Sequence, residues 1–99
     1  MPKIIWKPQA EKDLKAIEEY YKKTAPDFAQ VFVAQVHQKL DRVELFPLSG
    51  RMVPEINDPA IREIIYRGYR IVYHYIPDTE PVEILTVFNS SQQFGHLDF

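Results

Sequence analysis

Alternation at a period of two, broken once by an arginine–glycine pair, makes the stretch REIIYRGYRIVYHY (Arg62 to Tyr75) the strongest constraint on how this chain folds. Apolar and polar residues that alternate in this way mark a half-buried antiparallel pair of strands. Gly68 supplies the backbone freedom that a tight turn at Arg67-Gly68 requires. With that turn, Ile64, Tyr66, Ile71 and Tyr73 line one face. Arg62, Arg67 and Arg70 crowd the same short stretch, with Tyr69, Tyr73 and Tyr75 among them. Arginine pairs with carboxylate or phosphate, and tyrosine adds a flat face and a hydroxyl. The pattern therefore suits an acidic partner, a nucleic acid, or a merely solvated hairpin.

The rest of the chain supplies two helices and further strands. Pro2 to Trp6 reads as a short first strand. Pro8 suits an early helical position, and Ala10, Leu14, Ile17 and Tyr21 recur at helical spacing up to about Lys23. Thr24 and Asp27 have the spacing of a capping box for a second helix. Ala29, Phe32, Val36, Leu40 and Val43 carry that helix to about Phe46, ahead of Pro47. Phe28 and Val33 widen its apolar stripe. Pro47 to Pro59 reads as a loop rich in turn formers, the hairpin follows, and Pro77 to Pro81 is another turn. Val82 to Phe88 is apolar on both faces, as a central strand is. The tail holds Phe94 and Phe99 without a period. The order β-α-α-β-β-β predicts an α+β two-layer domain, with a helical hairpin packed on a mostly antiparallel sheet. The pattern does not place the first strand within the sheet.

At 99 residues, 45% of them apolar, the chain supports a single domain over residues 1–99 with an adequate core. Cysteine is absent, so neither disulfides nor thiolate metal sites form. No run approaches the roughly 20 apolar residues of a membrane helix. The apolar stretch in MPKIIWKPQAEKD is too short for a signal peptide. A cytoplasmic location without membrane contact is expected. The net charge of -2 argues against nucleic-acid binding by the whole surface. Charge is uneven, however. Arg62 to Tyr75 sets three arginines against Glu63, whereas Pro77 to Glu83 holds Asp78, Glu80 and Glu83 and no base. His37, His74 and His96 lack ligand spacing, so no metal and no cofactor is expected.

The combination of Trp6, Ala10, Asp13-Leu14, Ile17 and Tyr20-Tyr21 with Pro47, Gly50-Arg51, Pro54-Glu55 and the YRIVY strand (Tyr69 to Tyr73) resembles the RelE/ParE superfamily of bacterial toxins. The resemblance covers most of the chain and rests on the order and spacing of these elements together. It implies the toxin of a type II toxin–antitoxin (plasmid stabilisation) module, silenced by a cognate antitoxin. RelE-like members cut messenger RNA in the ribosomal A site, using the 2′-hydroxyl as nucleophile. ParE-like members poison DNA gyrase.

For the nuclease branch, the resemblance implies Arg70 as the strand arginine, Arg62 as a basic residue on the preceding strand, and Glu55 as a loop carboxylate. His74 is the titrating side chain nearest those arginines. The chain departs from the nuclease pattern at the end of its last strand. Asn89 stands where histidine is common, and Gln92-Gln93 where basic residues are common. An amide does not titrate and cannot shuttle a proton. The ParE-like branch is therefore favoured, with a metal-free ribosome-dependent endoribonuclease and a non-toxic, degenerate binding module as alternatives. Contacts to the target or antitoxin are expected from Arg51, Arg62, Arg67, Tyr69, Arg70, Tyr73, Tyr21, Phe28 and Phe32. The bland reading stands beside this one. The arginines also suit pairing with Glu63 and Glu55, Arg51 suits holding its loop, and the aromatics suit the core or its rim. A homodimer and a toxin–antitoxin hetero-oligomer are both compatible with the resemblance.

Overall fold

Proline begins both helices, and one extended residue separates them. A computed structural model of the chain describes residues 3–79 and 81–91. It contains β1 (Ile4–Trp6), α1 (Pro8–Thr24), α2 (Pro26–Leu45), β2 (Arg51–Met52), β3 (Ile61–Tyr66), β4 (Tyr69–His74) and β5 (Val82–Asn89). Pro8 and Pro26 occupy the first helical turns, where a missing N–H costs nothing. The capping box expected at Thr24 and Asp27 does not form. Thr24 is the last residue of α1, and its hydroxyl donates back to the Tyr20 carbonyl at 3.0 Å. Ala25 takes the cap position, with φ -153°, and offers no side-chain bond to α2.

The strands form one five-stranded sheet in the order β1-β5-β4-β3-β2. β1 runs parallel to β5, and every other pairing is antiparallel. The two helices carry the chain from β1 at one edge of the sheet to β2 at the other, and the antiparallel strands β3, β4 and β5 then lead back to β1. β2 lies in the stretch that reads as loop. At two residues it is too short to show a period, and its pairing with β3 places it. β5 lies between β1 and β4, as its two apolar faces require.

The hairpin turn carries positive φ at both Arg67 (50°) and Gly68 (80°), the type I′ geometry that matches strand twist. It sets Ile64 opposite Ile71 and Tyr66 opposite Tyr69. Tyr66, Ile71 and Tyr73 are buried in the helix-facing core with Ala10, Phe32, Val36, Leu40, Val43, Ile84 and Val87, and Ile64 packs against it. On the opposite face, Val53, Val72 and Phe88 make a smaller cluster, with Ile56, Ile61 and Leu85 around it.

β5 carries one extra residue against β4. Val72 faces Thr86 but Tyr73 faces Ile84, which leaves Leu85 as the bulge. The Asp13 carboxylate of α1 serves this break in the ladder by accepting from the Thr86 hydroxyl and from the Val87 N–H at 3.1 Å. This contact sets how α1 lies on the sheet. Among the described residues, no helix is long and apolar enough to cross a membrane. No group of three or more histidine, cysteine or acidic side chains among them is arranged to hold a metal ion.

Candidate functional site

The hairpin register explains the charged centre of the molecule. Glu63 faces Val72 and Ile65 faces Arg70, so Glu63 and Arg70 are diagonal neighbours on the face away from the helices. Arg70 Nε donates to Glu63 Oε1 at 2.6 Å. Its two terminal nitrogens make a bidentate pair with Glu55, at 2.6 and 2.7 Å. Arg51 Nε donates to the other oxygen of Glu63, also at 2.6 Å. The Arg70 guanidinium lies 5.4 Å from the centre of the Phe88 ring. Two cations and two carboxylates thus interlock, and their formal charges cancel.

Burial and pairing decide the chemistry of this centre. The Glu63 side chain is fully buried and that of Arg70 is 7% exposed, so neither charge is stable there without its partner. The hydrogen bonds from Arg70 pull the Glu55 carboxyl down from 4.5 to about 2, against the opposing effect of burial. Arg70 is pushed above its ordinary value, first by Glu55, with Glu63 adding to the effect. A carboxylate held that low is a weak base, and an arginine with two carboxylates on it has little left for a phosphate. The arginine excess visible in the sequence therefore makes no basic patch at Arg70.

Gly50 joins this centre to its loop. The Tyr73 hydroxyl donates to the Pro47 carbonyl at 2.7 Å and accepts from the Gly50 N–H at 3.0 Å. A Cβ on Gly50 would lie 2.5 Å from that hydroxyl and 2.8 Å from the Glu63 carbonyl oxygen, so only glycine fits. Burial pushes the Tyr73 phenol above its ordinary value. Tyr73 is wholly inside the protein and presents no surface to a partner.

The remaining expected residues separate. Arg62 lies on Tyr73's side of the sheet, where its Nε donates to the Pro59 carbonyl at 3.0 Å and its Nη1 to the Gly50 carbonyl at 2.9 Å. Arg67 sits in the turn, its guanidinium 4.8 Å from the centre of the Phe28 ring and 5.9 Å from that of Tyr66. His74 shares a face with Arg70 but lies four residues along β4, roughly 13 Å away. Its Nδ1 is 3.7 Å from Glu83.

Tyr21, Phe28, Phe32 and Tyr69 gather into an aromatic cluster where the helix pair meets the hairpin turn. Ring centres are 5.0 Å apart for Tyr21 and Phe28, and 5.1 Å apart for Phe32 and Tyr69. The Tyr69 hydroxyl donates to that of Tyr21 at 3.4 Å, and burial first, then this bond, pushes the Tyr69 phenol up to about 12. Phe32 is completely buried, whereas Phe28, Tyr21 and Tyr69 keep partial exposure. The nine expected contact residues therefore separate: Arg51 and Arg70 belong to the charged centre, Tyr21, Phe28, Phe32, Arg67 and Tyr69 to the aromatic one, and Arg62 and the buried Tyr73 to neither. The pairing of arginines with Glu63 and Glu55, offered by the sequence as the alternative to a binding surface, holds for Arg70 and Arg51; what the sequence reading did not single out is Glu63 as the shared partner of both, although a two-residue turn at Arg67-Gly68 already makes it the diagonal neighbour of Arg70. At the end of β5, Asn89 accepts from the Ser91 N–H at 2.9 Å. Gln92, Gln93, Phe94, His96 and Phe99 lie outside the described residues.

Two helices packed on a mixed five-stranded sheet make an α+β fold, with the paired Arg70 on the face away from the helices. Residues 4–94 match the family described as the ParE toxin of the type II toxin–antitoxin system parDE. The chain belongs to this family of toxins. Among solved structures, a chain of the chromosomal ParDE toxin–antitoxin system from P. aeruginosa shares the fold with a TM-score of 0.73. The match covers 90% of this chain and 96% of that one at 20% identity. No curated protein matches the chain in sequence.

Proposed function

We propose that this toxin stops growth by binding a protein, DNA gyrase, in the cytoplasm, and that a cognate antitoxin silences it. The observation that carries this reading is the saturation of Arg70 by Glu55 and Glu63. Cleavage of RNA through the 2′-hydroxyl needs a base that titrates near neutrality and cations free to meet the scissile phosphate. Glu55, held at about 2, is no such base, and Arg70 is committed to carboxylates. His74 is too far along its strand to assist at Arg70, and Asn89 does not titrate.

Binding to a protein makes none of these demands. The antitoxin in this reading is a segment that folds on the toxin, apolar toward Tyr21 and Phe28 and acidic toward Arg67. The test is supercoiling by purified gyrase with increasing amounts of the folded chain. Loss of supercoiling with accumulation of cleaved DNA, reversed by the antitoxin, is expected. Unaltered supercoiling and intact DNA at large excess of toxin would refute gyrase as the target. Codon-phased cuts in messenger RNA on ribosomes, abolished by Arg70→Ala, would establish the nuclease instead.

A further inference from the structure

The sheet has two edges, and β1 forms one of them. Its bonds to β5 fix which main-chain groups are left over. The Lys3 carbonyl accepts from the Val82 N–H at 2.8 Å, and the Lys7 N–H donates to the Ile84 carbonyl at 2.9 Å. With Ile5 opposite Glu83, the residues that bond inward are Lys3, Ile5 and Lys7. Main-chain groups alternate in direction along a strand, so Ile4 and Trp6 turn their N–H and C=O groups away from the sheet. Among the described residues, nothing bonds to those four groups. The other edge, β2, is only two residues long.

Natural edge strands are blunted by a charge, a proline or a bulge within the strand. β1 has none of these: it reads Ile4-Ile5-Trp6, in unbroken register with β5, and its flanking charges, Lys3 and Lys7, stand outside it. Ile4 and Trp6 pack on the helix-facing core, whereas Ile5 points to the other face and is 44% exposed. Its neighbour there on β5 is Glu83, which is itself 3.5 Å from Lys7, so β5 gives Ile5 no apolar cover. An uncharged apolar edge with its ladder groups turned outward is a template for one more strand.

Charge decides whose strand it is. A second copy pairing antiparallel about a two-fold axis at Ile5 sets Lys3 of each copy across from Lys7 of the other, and like charges directly opposite are unfavourable. A different chain with acids at those positions turns both repulsions into attractions. We propose that β1 is an augmentation edge, which takes an extended segment of a partner protein as a further, antiparallel strand. That segment sets a β-branched apolar side chain beside Ile5 and acids beside Lys3 and Lys7. Main-chain bonds to Ile4 and Trp6 give the affinity, and the side chains give the register. β1 pairs with the start of β5, whereas the hairpin turn lies beside its end, where the Ser90 N–H donates to the Gly68 carbonyl. The edge is thus separate from the aromatic cluster, and it does not depend on gyrase being the target.

The experiment is an NMR titration of the isotope-labelled, full-length chain with an acetylated and amidated Glu-Thr-Val-Thr-Glu peptide. Paired antiparallel with its valine on Ile5, this peptide sets its threonines opposite Ile4 and Trp6 and its glutamates opposite Lys3 and Lys7. One control is the same peptide N-methylated at both threonines, which loses two main-chain donors and keeps every side chain. The other is its Gln-Thr-Val-Thr-Gln counterpart. The expected result is shifts at the Ile4 and Trp6 amides. The N-methylated peptide binds more weakly by at least about ten-fold, as the loss of two hydrogen bonds requires. The glutamine peptide binds about five-fold more weakly, as suits exposed ion pairs. Lys3→Glu, a change at an exposed position, lowers affinity for the glutamate peptide and not for the glutamine one, and unchanged melting of the variant establishes that the loss is local. Equal affinity for the N-methylated peptide, shifts that map elsewhere, or no shifts at all would overturn the proposal. Shifts at Ile4 and Trp6 that grow with the concentration of the chain alone give the edge to a second copy, and the assignment to a different protein then fails.

Discussion

Replacing Glu63 with glutamine keeps the volume of the side chain and removes its charge, which tests the network from its most buried member. The Glu63 side chain is 0% exposed and bonds two arginines. An amide offers one acceptor oxygen, and its NH2 faces whichever arginine remains, donor against donor. The Arg51 leg contributes little, because the Arg51 side chain is 58% exposed and solvent screens it, about 0–1 kcal/mol. The Arg70 leg is a buried, charge-assisted bond. Such bonds contribute about 1.5–3 kcal/mol, and breaking a buried pair outright costs about 3–5 kcal/mol. Glu55 still neutralises Arg70 in the variant, which favours the lower range. The expected loss is about 3 kcal/mol, a large part of the roughly 5–15 kcal/mol that holds a domain together. For a domain of this size that lowers Tm by roughly 12–24 °C. Urea denaturation at pH 7, followed by circular dichroism, measures the free energy, and a thermal scan measures the shift. A loss under about 1 kcal/mol with an unchanged m-value would refute the reasoning, because Glu63 would then be a dispensable acid rather than the hub of the centre.

Three further outcomes follow from the same geometry. Gly50→Ala drives a Cβ against the Tyr73 hydroxyl and the Glu63 carbonyl, and since the second is backbone it cannot swing aside. A loss of about 2 kcal/mol in denaturant unfolding is expected, and a neutral substitution contradicts the close approach. Tyr73→Phe removes the donor to Pro47 and the acceptor for the Gly50 N–H, costing roughly 1–3 kcal/mol, with faster amide exchange at Gly50 as the specific sign. Glu55 is depressed from 4.5 to about 2, so its contribution is present above about pH 4.5 and is lost as pH falls toward about 2. Its side chain is 46% exposed, so solvent screens much of that contribution. Glu55→Gln is expected to flatten the stability profile over that acid window and to leave the profile above it parallel to the parent, as acid titration of unfolding reads directly.

Much of the fold was legible because its signals are local. The apolar spacing in α1 and α2 and the alternation around Arg67-Gly68 each depend on neighbours a few positions away. The turn itself set the register, so the helix-facing side of the hairpin followed from it. Pairing of β1 with β5 was not legible, since the two strands stand at opposite ends of the chain and no short-range pattern joins them. β2 escaped notice because two residues show no period. The cap of α2 was misplaced because Thr24 has two outlets for its hydroxyl, and the preceding helix claimed it.

The candidate site divides along the same line. Sequence alone determined that arginines and tyrosines stand on a hairpin, and that the last strand ends on an amide, Asn89. Only the tertiary structure decided which of those arginines meets a carboxylate. Arg70 meets Glu55 because the loop after β2 folds back over the sheet, and Arg51 meets Glu63 because β2 pairs with β3. Among the described residues, Arg62 donates to carbonyls and Arg67 lies against ring faces. The physical reason is the range of the forces. Alternation and turn chemistry act between near neighbours in the chain. Charge neutralisation depends on a few ångström between side chains from separate elements, and on how much water is left between them.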